Sequence, residues 1–196
     1  VVLLGLMSCE DNPKKPEKKI EKRVEKWLEA GSFNEDSAYK FIAKQVSFGP
    51  RVPNSSNHVK CGDWLSTKLA SLGFEISQQV GEVTAFNGAK LPVRNIIGNF
   101  NKNSSKKIML CAHWDTRPFA DRDTQNINLP IIGANDGASG VGVLLEIARI
   151  IQKDSLKIGL EIIFFDVEVF DPPTFHLPKM VFLASAADCS ETFPEA

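Results

Sequence analysis

The chain has 196 residues, of which 43% are hydrophobic, which is enough for one well-buried domain but too few for two complete ones. Its 23 basic and 24 acidic residues leave a net charge of −1, so no overall field attracts nucleic acid or an anionic membrane surface. We therefore expect a single domain with no nucleic-acid partner.

A short apolar run, VVLLGLMSC, opens the chain and places the small residue Ser8 directly before Cys9. The run is far shorter than the roughly 20 apolar residues of a membrane-spanning helix. Its pattern is typical of a secretory signal, and its end resembles a bacterial lipobox, in which the cysteine is lipidated. We predict that residues 1–8 are a partial signal peptide and that Cys9 is a lipid anchor to the membrane of the bacterial cell envelope. The alternative is an ordinary cleaved signal and a periplasmic protein.

Residues 9–19 are predicted to be a flexible tether, because the stretch EDNPKKPEKK contains two prolines and no hydrophobic residue. The folded domain is predicted over residues 20–196. Helical spacing of apolar residues predicts a helix from about residue 20, a second over 35–46 with Asn34 as its cap, and a third over 59–72 followed by Gly73.

Strand signals follow in FEISQQV (74–80), EVTAF (82–86) and LPVRNIIGNF (91–100), with an Asn-Gly turn before the last of them. Two further apolar runs, IMLCA (108–112) and LEIIFF (160–165), flank a strongly apolar segment at 140–152 that predicts a heavily buried helix. Strand, helix and strand form a βαβ unit. These elements indicate the α/β class.

Polar side chains follow both strands of this unit. His113 and Asp115 are two residues apart and should point to the same side of a strand end. Asp136 lies in the glycine-bracketed loop GANDG, directly before the apolar helix, where it is either a metal ligand or only a helix cap. Asp166 and Glu168 alternate after the second strand. Such clusters at the carboxyl edge of adjoining strands are typical of α/β functional sites.

Five motifs in order carry a family resemblance: FGPRVPNSSNH, RNIIGNF, AHWDTRP, GANDGASGVGVLLEIAR and IIFFDVE. They closely resemble the bacterial glutaminyl-peptide cyclotransferases, or glutaminyl cyclases, of the zinc-dependent M28 aminopeptidase superfamily. The resemblance covers roughly residues 33–168. It implies a three-layer α/β/α sandwich with a mixed central β-sheet, one zinc ion, and conversion of the amino-terminal glutamine of peptides to pyroglutamate with release of ammonia.

By position, the resemblance implies that Asp136 is the aspartate zinc ligand and that Glu168 is the catalytic acid/base. His113 matches the histidine that binds a second zinc in the related aminopeptidases but is generally not a ligand in the single-zinc cyclases. The family places a second acidic zinc ligand directly after the catalytic glutamate, and this chain has Val169 there.

After residue 168 the sequence does not clearly continue the family pattern, so we expect the carboxyl-terminal part of the fold to be missing and this chain alone to bind zinc weakly and to lack turnover. A partial gene, a frameshift and genuine divergence remain open. One alternative function is an M28-type zinc aminopeptidase, in which His113 and Asp136 hold two metals. Another is a non-catalytic lipoprotein on the same scaffold, which Val169 favours.

Overall fold

The computed structural model describes residues 32–85, 87–120, 122–153, 156–167 and 184–185. The predicted signal, tether and first helix, together with Cys9, Glu168 and Val169, lie outside these ranges. Within the described ranges, no helix has the length and apolar character needed to cross a bilayer.

Helix α1 spans Glu35–Val46, as predicted. The Asn34 side chain accepts a hydrogen bond of 2.7 Å from the amide of Ser37, so the predicted cap is confirmed. Two carboxylates in the first turn and Lys44 in the last also complement the helix dipole. Local sequence signals are therefore sufficient to fix both ends of this helix.

Helix α2 spans Ser56–Ser71 and begins three residues before its predicted start. The cause is a local cap, since Ser55 Oγ accepts a hydrogen bond from the amide of His58 at 3.1 Å. The helix ends just before Gly73, whose φ of +86° is the left-handed conformation expected after a helix terminus.

Strands β1 (Glu75–Thr84) and β2 (Lys90–Phe100) form an antiparallel hairpin. The two predicted runs, 74–80 and 82–86, belong to one continuous strand because the pairing with β2 runs through Gly81 opposite Val93. The predicted hairpin is confirmed by a hydrogen bond of 2.8 Å from the amide of Ala85 to the carbonyl of Ala89.

Strand β3 (Lys107–His113), helix α3 (Ser139–Ile151) and strand β4 (Gly159–Phe165) form the predicted βαβ unit, with β3 and β4 paired in parallel. The apolar run of β3 is not buried throughout, because Ile108 is exposed where the strand begins. One side of α3, with Val141, Leu144, Leu145 and Ala148, is buried, whereas Val143 is 42% exposed. The prediction of a heavily buried helix therefore holds for one side of α3 but not at Val143.

The strands lie in the order β1-β2-β4-β3-β5, where β5 is Ala184–Ser185. Antiparallel pairs join β1 to β2, β2 to β4 and β3 to β5, whereas β3 and β4 are parallel. The predicted α/β class with a mixed sheet is therefore confirmed.

The main core lies between one face of the sheet and helices α2 and α3, and α1 crosses α3 at Gly142, where a Cβ atom would lie 2.6 Å from Ile42. The core side chains come from α2, α3 and the even-numbered positions of the central strands; they include Leu65, Leu69, Leu145, Ala148, Ile96, Ile162 and Phe164. This packing fixes the βαβ unit, and with it the strand ends that carry the polar cluster.

Candidate functional site

Strands β3 and β4 end at the same edge of the sheet. Their register pairs His113 with Phe165, and the amide of Trp114 donates a hydrogen bond of 3.0 Å to the carbonyl of Phe165. The loop after β3 and the segment after β4 therefore start side by side. This is the edge at which open α/β sheets build ligand sites.

His113 lies between two carboxylates. Its Nδ1 is 3.3 Å from Asp115 Oδ1, and its Nε2 is 3.2 Å from Asp136 Oδ1. The prediction that His113 and Asp115 point to the same side is thus confirmed. Asp115 is fully buried. The imidazole therefore joins a buried carboxylate to the one in the glycine loop.

Asp136 lies in a turn, Ala134–Ala138, that leads into α3 but is not regular helix. Asp136 itself has φ −87° and ψ 97°, and Gly137 has φ +102°. Helix α3 begins without a side-chain capping hydrogen bond. Asp136 is therefore more than part of the turn into α3, because its carboxylate also lies 3.2 Å from His113 Nε2.

Gly137 is required by both conformation and space. Its positive φ is strained for any residue with a side chain, and a Cβ atom there would lie 2.8 Å from the carbonyl oxygen of Asp115 and 3.3 Å from Cε1 of His113. The glycine thus permits the turn to approach the end of β3. This close approach brings Asp136 to the histidine.

Arg117 contributes a positive charge to the same site. Its Nη2 lies 3.5 Å from Asp136 Oδ2, and the two side chains are 27% and 19% exposed. The carboxylate therefore has an imidazole on one oxygen and a guanidinium near the other, in a position that solvent reaches. Arg117 also lines an open cavity of about 490 Å³, together with Ala120, Arg122, Asp123, Thr124 and Ile131.

Arg51 is a fully buried residue that fixes the loops behind the site. Its guanidinium donates to three carbonyl groups across the fold, those of Trp114 at 3.1 Å, Ile132 at 2.8 Å and Gly133 at 2.7 Å. Burial lowers the pKa of Arg51, and the nearby charge of Asp115 partly opposes this shift. Sequence reasoning did not single out Arg51, although it lies in the motif FGPRVPNSSNH.

Asp166 is buried, and its carboxylate is held by hydrogen bonds from within the protein. Its Oδ1 accepts hydrogen bonds from His58 Nε2 at 2.7 Å and from the amide of Val167 at 2.9 Å, and its Oδ2 accepts one from the amide of Arg94 at 2.8 Å. Val167 has φ +62°, so the backbone after β4 is not extended. The predicted alternation of Asp166 and Glu168 stays a prediction, because Glu168 lies outside the described residues.

His58 and Trp114 are the other site neighbours that the sequence did not identify. Their rings stack with centroids 4.2 Å apart and planes inclined by 16°. Trp114 is fully buried, and a Cβ atom at Gly62 would lie 2.9 Å from its ring. The indole is therefore a packed part of the site wall, held by α2.

The donor types at this edge suit zinc, which binds imidazole nitrogen and carboxylate oxygen. Among the described residues, however, no group of three His, Cys, Asp or Glu side chains could hold a metal ion. His113 and Asp136 are one pair of such donors, and catalytic zinc sites take three protein ligands. A complete site needs at least one donor beyond those that the structure describes.

Residues 95–176 match the model of peptidase family M28. This match agrees with the family resemblance that the motifs carry. The match includes Asp136 and His113 as well as Glu168.

Known proteins resemble the chain over most of its length. A glutaminyl cyclase from Tannerella forsythia is 50% identical with a TM-score of 0.71, covering 74% of this chain and 50% of that one. A Zn-dependent exopeptidase from Parabacteroides distasonis is 48% identical with a TM-score of 0.72, covering 77% and 52%. The glutaminyl-peptide cyclotransferase of Drosophila melanogaster is 26% identical over 129 residues, 61% of this chain and 33% of that protein. The chain thus spans about half the length of the solved structures and about a third of the fly protein.

Proposed function

We propose that this chain, whose residues 95–176 match the model of peptidase family M28, acts in a glutaminyl-peptide cyclotransferase. The reaction converts the amino-terminal glutamine of peptides or proteins to pyroglutamate and releases ammonia. The 50% identity to a bacterial glutaminyl cyclase supports this assignment. The observation that carries it is the strand-edge site, where Asp136 lies within 3.2 Å of His113 and 3.5 Å of Arg117.

Asp136 is the proposed zinc ligand of this chain. Its carboxylate is accessible, and the turn that carries it is fixed by two glycines with positive φ, Gly133 and Gly137. When bound, zinc would supply Lewis-acid polarisation of the substrate's side-chain amide carbonyl. One ion is proposed, with His113 as a neighbour rather than a ligand.

Glu168 is the proposed general acid/base, by its position in the family motif IIFFDVE. In this role it would take a proton from the attacking α-amine and return it to the departing ammonia. The nucleophile and the electrophile belong to one glutamine residue, so the protein mainly has to hold that residue folded and stabilise charge. Arg117, which lines the adjoining cavity, is suited to contact the peptide chain that follows the glutamine.

The test is ammonia release by the full-length gene product from a Gln-initiated peptide, with and without added zinc. A matched peptide that begins with leucine is the control. Zinc-dependent ammonia release from the first peptide, with no amino acid released from either, is the expected result. Release of free leucine without cyclisation would contradict the proposal.

The second candidate is an M28-type zinc aminopeptidase, which the similarity to the Parabacteroides distasonis exopeptidase favours. If this chain is such an aminopeptidase, His113 and Asp136 would hold two metals. The two donors already lie close together, with His113 Nε2 3.2 Å from Asp136 Oδ1. The Gln-initiated and Leu-initiated peptides distinguish the two candidates when they are assayed with a His113→Ala variant. This substitution should abolish activity in a two-metal aminopeptidase but leave cyclisation largely intact in a cyclase.

The third candidate is a non-catalytic lipoprotein, for which Val169 is the support. Valine has no atom that can bind zinc, so a Val169→Asp variant of the full-length product should raise zinc content if ligand loss accounts for inactivity. Unchanged zinc content would count against that account.

A lipid anchor at Cys9 is proposed for cell-envelope localisation, on the pattern LMSC at positions 6–9. Metabolic labelling with radioactive palmitate should label the wild-type protein and not a Cys9→Ala variant. An unlabelled wild-type product would refute the anchor.

A further inference from the structure

His58, on α2, contacts both loops that form the strand edge. Its Nε2 donates to Asp166 Oδ1 at 2.7 Å, after β4, and its ring stacks on Trp114, after β3. The His58 side chain is only 5% exposed. Both contacts are thus shielded from water, where a hydrogen bond to an ionised acceptor is strongest.

Each contacted residue is close in sequence to a residue of the proposed site. Trp114 directly follows His113, and Asp166 precedes Glu168 by two residues. A displacement of either contact is therefore transmitted through one or two peptide units to His113, beside the proposed zinc ligand Asp136, or to Glu168, the proposed acid/base.

Asp166 also fixes the direction of the chain as it leaves β4. Its two oxygens accept from the amides of Arg94 and Val167, and its own amide donates to Asn95 Oδ1 at 2.9 Å. Val167 has a φ of +62°, which is disfavoured for a β-branched residue. A disfavoured conformation persists only where its surroundings fix it, and here the surroundings include the Asp166 carboxylate.

We propose that His58 is a positioning residue for the proposed reaction. It sets the segment that leads to Glu168 relative to the end of β3 that carries His113, through the hydrogen bond on one side and the ring stack on the other. Its burial keeps it from contact with substrate. The effect of His58 on turnover rests on the proposed function. Its effect on the relative position of the two segments rests on these contacts alone.

Two substitutions separate the two contacts in the full-length gene product. His58→Phe retains a ring that can stack on Trp114 but removes the donor to Asp166, whereas His58→Gln retains a donor and loses the ring. The matched control is Glu146→Gln, which weakens a buried ion pair with Arg149 on α3, away from the strand edge. Thermal melts identify the folded fraction of each variant.

For the phenylalanine variant, kcat should fall about 10- to 100-fold per folded molecule with KM unchanged, as for the loss of an outer partner of a reacting group. The glutamine variant should recover part of this loss. The control should lower the melting temperature and leave kcat unchanged. A wild-type kcat in folded His58→Phe, or an equal loss of kcat in the control, would overturn the inference.

Amide hydrogen exchange separates this inference from the proposed function. Amides of Arg94 and Val167 should exchange about tenfold faster in His58→Phe, as expected for one lost hydrogen bond to a charged group, and at the wild-type rate in the control. Unchanged exchange overturns the positioning role even if the wild-type enzyme is active. Failure of the wild-type protein to release ammonia overturns the proposed function. The exchange rates would then still test whether His58 fixes the segment around Asp166.

Discussion

Asp136 and Asp166 lie at the same edge of the sheet and have opposite environments. Asp166 is buried and receives three hydrogen bonds of 2.7–2.9 Å from fixed donors. Asp136 is partly exposed on a glycine turn, and its contacts to His113 and Arg117 are 3.2 and 3.5 Å long. The difference indicates that Asp166 stabilises the fold, whereas the longer ion contacts of Asp136 can rearrange around a ligand.

Replacing Asp166 should produce the largest change in stability. Asp166→Ala leaves His58 and two backbone amides without their acceptor in a buried region, so the free energy of unfolding should fall by about 3–5 kcal/mol. Urea titration followed by circular dichroism measures this loss. A variant as stable as the wild type would contradict the claim that Asp166 stabilises the fold.

Glu146 is, like Asp166, a buried carboxylate that accepts hydrogen bonds from within the protein. Hydrogen bonds from Arg149 lower the pKa of Glu146 to about 2, and the amide of Asn34 also donates to it at 2.9 Å. A carboxyl group with a lowered folded pKa stabilises the protein above its unfolded pKa of roughly 4.3, and this stabilisation is lost as the pH falls toward 2.

Acid denaturation tests this expectation. Between about pH 5 and pH 2 the wild-type protein should lose roughly 2–3 kcal/mol more stability than Glu146→Gln, whose side chain does not titrate. Parallel pH profiles for the two proteins would show that the ion pair does not stabilise the fold.

Gly137→Ala should have a smaller effect on stability that is concentrated at the site. The φ of +102° and the approach to the Asp115 carbonyl should cost about 1–3 kcal/mol and displace the Asp136 turn. Gly81→Ala in β1 is the matched control, because a Cβ atom there meets no atom within 4 Å. Equal melting temperatures and equal zinc affinity in the two variants would contradict the requirement for glycine.

The sequence predicts what is encoded locally. Helix α1 was bounded correctly because Asn34 and the apolar spacing both lie within its own segment. The β3–α3–β4 unit was predicted from two apolar strands and a helix, and the shared direction of His113 and Asp115 from strand periodicity. These inferences need no knowledge of distant contacts.

The remaining site features depend on contacts between distant parts of the chain. His58 and Asp166 are 108 positions apart, and Arg51 lies 82 positions from the Gly133 carbonyl that it binds. Nothing in the spacing of polar residues indicates these pairs. The left-handed backbone of Val167 was also unpredictable, because a β-branched residue after a strand ordinarily continues the extended chain.

The measurement that most directly tests the difference between the two aspartates is zinc titration calorimetry on matched Asp136→Asn and Asp166→Asn variants of the full-length gene product. We predict that Asp136→Asn lowers zinc affinity by about 100-fold or more, since the loss of even an outer-shell partner costs 10- to 100-fold. Its stability should change by less than about 0.5 kcal/mol, because the side chain is partly exposed. Asp166→Asn should lower the melting temperature and retain zinc affinity. Wild-type zinc affinity in Asp136→Asn would contradict the account.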